Sequence, residues 1–123
     1  RAMSELVEVK TRELSGPALD WAVAKTEGLP SLIYPCEPPY IYIDLPGRGC
    51  GPYHPSYNWA DGGPLLAKHR VGFGLYPNAY FACTGTNDDA GEASGPTHLI
   101  AACRAIAASS LGDTVSVPKV LVV

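Results

Sequence analysis

Ser15-Gly16-Pro17-Ala18-Leu19-Asp20-Trp21-Ala22-Val23-Ala24-Lys25 and Ser94-Gly95-Pro96-Thr97-His98-Leu99-Ile100-Ala101-Ala102-Cys103-Arg104 open on the same tripeptide and continue into Ala-rich apolar runs. Aligned on Ser-Gly-Pro, Ala22 falls on Ala101 and Lys25 on Arg104. Proline suits a first helical turn, where its missing N–H would be unpaired anyway, and Ser or Gly can cap that turn. Strand-like runs precede both phrases: Leu6–Lys10 the first, Ala79–Thr84 the second. The chain therefore reads as two strand–turn–helix units around a shared core. The expected fold class is α+β, a small, mainly antiparallel sheet with the two main helices side by side on one face.

Outward from the first phrase, Val7 and Val9 alternate with Glu8 and Lys10, the signature of a half-buried strand. The spacing predicts a helix over Pro17–Glu27, closed by Gly28, with Leu19, Ala22 and Val23 on its core face. Asp20 suits the early turns of that helix electrostatically. Before the second phrase, Val71–Leu75 and Ala79–Thr84 flank Pro77-Asn78 and read as a hairpin. Val71, Phe73 and Leu75 would face one way, and Gly72 and Gly74 would leave the other face bare. Thr86–Gly95 reads as a polar loop. Pro96–Leu111 reads as the longest helix, stopped by Gly112, with Thr114–Val117 as a last strand. Between Leu99 and Leu111 the only charge is Arg104. A lone cation on a buried helix points to a structural ion pair with a carboxylate.

Residues 30–64 are the oddest stretch, holding 8 of the 12 prolines and 5 of the 7 tyrosines. Ile41-Tyr42-Ile43 reads as a short strand with the isoleucines inward and Tyr40 and Tyr42 outward. The remainder reads as a long Pro/Tyr-rich loop, because proline donates no backbone hydrogen bond to a ladder. Asp61-Gly62-Gly63-Pro64 should then start a short helix running to about Lys68.

At 123 residues the chain is one domain, 1–123, with 30–64 as an insertion. Such a length buries roughly two-thirds of its unfolded surface, enough for a core without metal or disulfide staples. Hydrophobic content of 46% against 17% charge excludes a disordered chain. No apolar run approaches the roughly 18 residues that span a bilayer, and the N-terminus lacks an apolar signal region. Arg1-Ala2, ahead of Met3, reads as an addition to a native start at Met3. Net charge is −3 and the basic residues are scattered, which argues against a nucleic-acid partner. The widely spaced Cys36, Cys50, Cys83 and Cys103 read as reduced thiols rather than a disulfide framework.

Cys50-x-x-x-His54 has the spacing of a metal half-site, but His69, His98 and the other cysteines supply no second close pair, so no metal is expected. Asn87-Asp88-Asp89 with Glu92 lacks the ligand pattern of a calcium loop. Gly47-Arg48-Gly49-Cys50-Gly51 resembles a phosphate nest in composition but neither follows a clear strand nor opens a helix. No cofactor is expected. Cys103, on an apolar helix, reads as core. The strongest functional signal is aromatic: Tyr34, Tyr40, Tyr42, Tyr53, Tyr57 and Trp59 combine apolar bodies with polar tips, a mixture enriched at recognition surfaces. The candidate binding residues are Tyr40, Tyr42, Tyr53, Tyr57 and Trp59, with Arg48 as the nearby cation. No catalytic residues are assigned.

Three signatures together resemble a small phage and prophage protein family of unknown function. They are Val9-Lys10-Thr11 with Leu14–Ala24; Tyr53-His54-Pro55-Ser56-Tyr57-Asn58-Trp59 followed by Gly62-Gly63-Pro64-Leu65; and Gly95–Ala105 followed by Leu111-Gly112-Asp113. Asn58 and His98 depart from the residues usual at those places, and Tyr34–Pro52 matches poorly. The resemblance carries no catalytic residues. It implies a small accessory protein made in the cytoplasm of a phage-infected bacterium. The functional expectation is a non-catalytic binding module acting on a host or phage protein, without a membrane partner and with homo-oligomerisation left open. The alternatives are a small Cys/His-dependent hydrolase or transferase and a structural phage component. An enzyme should gather titratable groups in one pocket, whereas a binder should present exposed rings.

Overall fold

The computed structural model describes residues 5–45, 49–85 and 91–122. The alternation at the start of the chain forms β1 (Leu6–Lys10), which pairs antiparallel with β8 (Thr114–Pro118), Val7 opposite Val117 and Val9 opposite Val115. Thr11 follows in a short 3-10 turn, fully buried; its amide reaches the Asp113 carbonyl at 2.9 Å and its hydroxyl the Gly112 carbonyl at 2.8 Å. α1 (Gly16–Thr26) carries Pro17 in its first turn and buries Leu19, Ala22, Val23 and Ala24. Gly28 closes it with φ +68°, a left-handed conformation that favours glycine.

The Pro/Tyr-rich stretch is not a loop. It folds as β2 (Ser31–Tyr34), β3 (Tyr40–Leu45) and β4 (Gly49–Pro52), an antiparallel meander. The expectation failed because the prolines fall at strand boundaries. Pro30 and Pro35 flank β2, Pro38 and Pro39 sit in the turn before β3, and Pro52 is the last residue of β4. Among the described residues, no proline interrupts these ladders from within. As expected, Ile41 and Ile43 point inward and are fully buried. Asn58 then caps α2 (Trp59–Lys68), its Oδ1 accepting from the Ala60 amide at 2.9 Å. The helix starts two residues before the expected Asp61 because that cap lies upstream of it. The ends of α1 and α2 are tied by Glu27, which accepts from Lys68 Nζ and meets His69 Nε2, both at 2.6 Å.

β5 (Gly72–Tyr76) and β6 (Ala79–Cys83) form the expected hairpin. β7 (Glu92–Gly95) adds a third strand where a polar loop was expected, placing Ala93 opposite Ala82. Ser94-Gly95 therefore ends a strand rather than starting a helix. α3 (His98–Leu111) begins later, with Thr97 Oγ1 accepting from the Ile100 amide at 3.1 Å. Its approach to β7 is backbone-close: a side chain at Gly91 would run into the Ala105 carbonyl. Around it, Ala82, Ala93, Ala101 and Ala105 form a small core of their own.

The fold is α+β, with three α-helices and three small antiparallel sheets among the described residues. The two main helices pack against each other and both touch β8, though most of their remaining sheet contacts are with different strands. α3 lies on β6 and β7, whereas α1 lies against β8, β2 and β3, joining Ile41, Ile43 and Val117 in the main core. Small residues admit a helix close to β6 and β7, while the larger β-branched residues under α1 demand a separate sheet. Arg104 also departs from expectation. Its guanidinium donates to two carbonyls, Leu14 O at 2.7 Å and Ser94 O at 2.8 Å, rather than pairing with a carboxylate. Burial lowers its pKa and the charge of Glu13 raises it.

Candidate functional site

The alternation of β2 and β3 sorts their side chains. Register sets Tyr34 opposite Tyr40 and Leu32 opposite Tyr42 on the outer face. There the Tyr34 ring stacks on Tyr40 (centroids 5.0 Å apart, planes at 17°) and on Tyr42 (6.1 Å). The row continues into the next segment, where Tyr40 meets the His54 ring edge-on at 5.9 Å and Tyr57 stacks on His54 at 4.7 Å. Offset stacking and edge contacts of this kind hold rings in place without enclosing them.

His54 is held from three sides. Its backbone amide donates to Asp61 Oδ2 at 2.9 Å, its ring stacks on Tyr57, and its Nδ1 lies 3.4 Å from Asp20 Oδ2. Asp20 is buried on α1, and its Oδ1 accepts from the Ser56 amide at 2.9 Å. Burial pushes the Asp20 carboxyl above the usual aspartate range, against the opposing pull of Ser56 and then His54. A carboxylate of α1 thus fixes a turn more than thirty residues away in sequence. Below that turn the Pro55 carbonyl presses on Gly62, where no side chain would fit.

Asp20, His54, Tyr40 and Tyr57, with the Cys36–Pro39 turn and Gly16-Pro17 of α1, line a cavity of about 410 Å³. Burial raises the pKa of the Tyr57 hydroxyl, and the charges of Asp20 and Asp61 add to the shift. Tyr57 also borders a second depression of about 280 Å³, walled by Trp59, Tyr80 and the first turn of α3. There His98 packs among Tyr80 (4.0 Å), Phe73 (4.9 Å) and Trp59 (6.5 Å). Tyr57 and Trp59 are 65% and 57% exposed, so the ridge between the two depressions is available to a partner.

Of the candidate binding residues, Tyr40 and Tyr57 meet at the larger cavity, Trp59 lines the smaller, and Tyr42 belongs to the ring row. Tyr53 does not join them. Its amide bonds the Ile41 carbonyl at 2.8 Å, extending the β3–β4 pairing, so its ring falls on the inner face with Ile41 and is 4% exposed. Arg48, with the Gly47-Arg48 part of its glycine-rich run, lies outside the described residues, as does Asn87-Asp88-Asp89. Cys50 and His54 do not converge, since Cys50 pairs across from Asp44 on the outer face while His54 turns to Asp20. All four cysteines are free thiols, and burial pushes the Cys103 thiol far up. No group of three or more His, Cys, Asp or Glu side chains able to hold a metal ion occurs among the described residues. Sequence reading missed Asp20 as the hub. The available signal was a carboxylate beside Leu19 on the helix stripe that must be buried.

No helix among the described residues is long and apolar enough to cross a membrane. No curated protein matches the chain. The family model described as "Bacteriophage P22, NinX" matches residues 10–110, taking in α1, the Tyr53–Trp59 turn and nearly all of α3. The chain therefore belongs to the bacteriophage P22 NinX family, a small phage protein family.

Proposed function

We propose that this phage-family protein is a non-catalytic binding module that works in the cytoplasm of the infected bacterium and engages a host or phage protein through its ring row. The observation that carries the reading is the ridge formed by Tyr57 and Trp59, exposed yet held on a turn anchored by Asp20 and Asp61. Rigid, exposed aromatic rings lose little entropy on binding and act as anchors at interfaces. Tyr40 and Tyr42 extend the surface along the outer face of β3.

A Cys/His-dependent hydrolase draws support from one arrangement, Asp20 orienting His54 in a cavity that Cys36 also lines. That chemistry needs the thiol on the imidazole, whereas the Cys36 thiol is engaged with the Pro38 carbonyl at 3.2 Å. The binding reading is therefore preferred. Affinity capture from host lysate, with bound proteins identified by mass spectrometry, tests it through two tyrosines. Tyr57→Ala should leave the melting temperature unchanged and weaken capture of a specific protein by about 2 kcal/mol, roughly thirtyfold in affinity. Tyr53→Ala should instead cost about 3 kcal/mol of stability by emptying a core position. Unchanged capture with Tyr57→Ala, together with turnover that requires Cys36, would favour the hydrolase.

A further inference from the structure

The sheet of β5, β6 and β7 has two edges, and only one is closed. In a two-residue hairpin the residues flanking the turn form a hydrogen-bonded pair, and bonded and non-bonded pairs then alternate. Tyr76 pairs with Ala79 across Pro77-Asn78, so Gly72, Gly74 and Tyr76 direct their backbone groups to β6. The amides and carbonyls of Phe73 and Leu75 point away from the sheet. On the far edge the outward carbonyls are those of Glu92 and Ser94, and both are taken: Arg12 Nε donates to Glu92 O at 3.2 Å and Arg104 Nη1 to Ser94 O at 2.8 Å. Among the described residues nothing fills the β5 edge. Its strand, Gly72-Phe73-Gly74-Leu75-Tyr76, carries no charge and no proline, and Leu75 is 79% exposed. Natural sheets protect such an edge with charge, proline, a bulge or a cover, and this strand has none of them.

We propose that the β5 edge is a homodimer interface, in which two copies of the chain pair antiparallel about a two-fold axis at Gly74. The sequence of the strand selects a second copy as the occupant. In that register Phe73 lies opposite the partner's Leu75 and Tyr76 opposite the partner's Gly72. Each large side chain meets an apolar neighbour or a vacant glycine face, and Tyr76 covers a glycine of the facing strand. The four outward groups of each copy are all used, Phe73 bonding the partner's Leu75 in both directions and Leu75 the partner's Phe73. At the axis, Gly74 meets the partner's Gly74 as a non-hydrogen-bonded pair, where Cα atoms come within about 4.5 Å. Two three-stranded sheets become one of six strands.

Analytical ultracentrifugation of the full chain tests this with two variants. The unaltered protein should sediment with the mass of two chains. Leu75→Lys, at an exposed position, should sediment as one folded chain that still melts cooperatively, at a temperature independent of protein concentration. Gly74→Cys, in a Cys36→Ser/Cys50→Ser background, should form a disulfide-linked dimer under mild oxidation. The separation at the axis falls within the Cα range of about 4.4–6.8 Å that a disulfide spans, and a Cβ at Gly74 has only ordinary contacts, with Phe81 at 3.9 Å and beyond. A one-chain mass for the unaltered protein at high concentration overturns the proposal. So does a dimer that survives Leu75→Lys and is not trapped by Gly74→Cys. A chain that stays monomeric but loses capture of a different protein with Leu75→Lys would give the edge to that protein and sink the dimer.

Discussion

Gly16 and Gly95 hold the same place in the same tripeptide. Gly16 has φ +57° with open space where a side chain would stand. Gly95 has no left-handed φ, yet a Cβ there would sit 2.9 Å from the Ala101 amide nitrogen and from Ile100 Cγ2. One glycine serves backbone conformation and the other close packing. The contrast runs through both turns. Ser15 caps α1 in position but makes no side-chain hydrogen bond, while Ser94 lies in β7 and Thr97 does the capping for α3. Asp20 of α1 aligns with Leu99 of α3, both buried. α3 is therefore a core helix along its length, whereas α1 buries a carboxylate to hold the turn of His54 and Ser56. A repeated phrase can arise from two different physical demands.

Substitutions at aligned positions should break the symmetry of the two phrases, most strongly at the cations. Arg104→Ala removes charge-assisted bonds to both turns, each worth about 1.5–3 kcal/mol, and should lower unfolding free energy by about 3 kcal/mol in denaturant titration. Lys25, aligned with it, stands over the Trp21 ring at 5.3 Å. Lys25→Ala should cost under about 1 kcal/mol. Similar losses at the two sites would mean that Arg104 does not clamp the turns. The glycines come next. Gly95→Ala should cost about 2 kcal/mol by overpacking, against about 1 kcal/mol for Gly16→Ala from its left-handed backbone. Asn tolerates that backbone, so Gly16→Asn should be milder than Gly16→Ala, whereas Gly95→Asn should be worse than Gly95→Ala. The reverse order in thermal melts would show that packing rather than conformation governs Gly16. The smallest difference is at the caps. Thr97→Ala should cost about 1 kcal/mol and Ser15→Ala close to nothing, and equal losses would assign Ser15 a capping bond.

Local rules recovered the elements whose causes are local. Val7 and Val9 alternate, Gly28 and Gly112 terminate helices, and Ile41 and Ile43 turn inward because isoleucine is the more apolar neighbour of tyrosine. What escaped depends on contacts distant in sequence. β2 and β4 were hidden because a count of prolines says nothing of where they fall relative to the ladder. β7 was hidden because Glu92-Ala93-Ser94-Gly95 has no strand propensity and pairs only because Ala82 and α3 need small neighbours. Tyr53 shares its residue type with the other candidate binding tyrosines, yet pairing with Ile41 decides its face. Within the site, the rings were legible as a class. The Asp20–Ser56 bond that positions them was not, because it joins residues 36 apart.

The pairing of β1 with β8 bears on the order in which the molecule is made. Thr11 fastens its hydroxyl to a carbonyl 101 residues downstream. During synthesis β1 has no partner until β8 has left the ribosome, by which point the hairpin of β5 and β6, made earlier, has had time to form. Loop-closure entropy makes such distant pairing slow. Until then Val7 and Val9 lack the β8 partner that covers them in the folded protein.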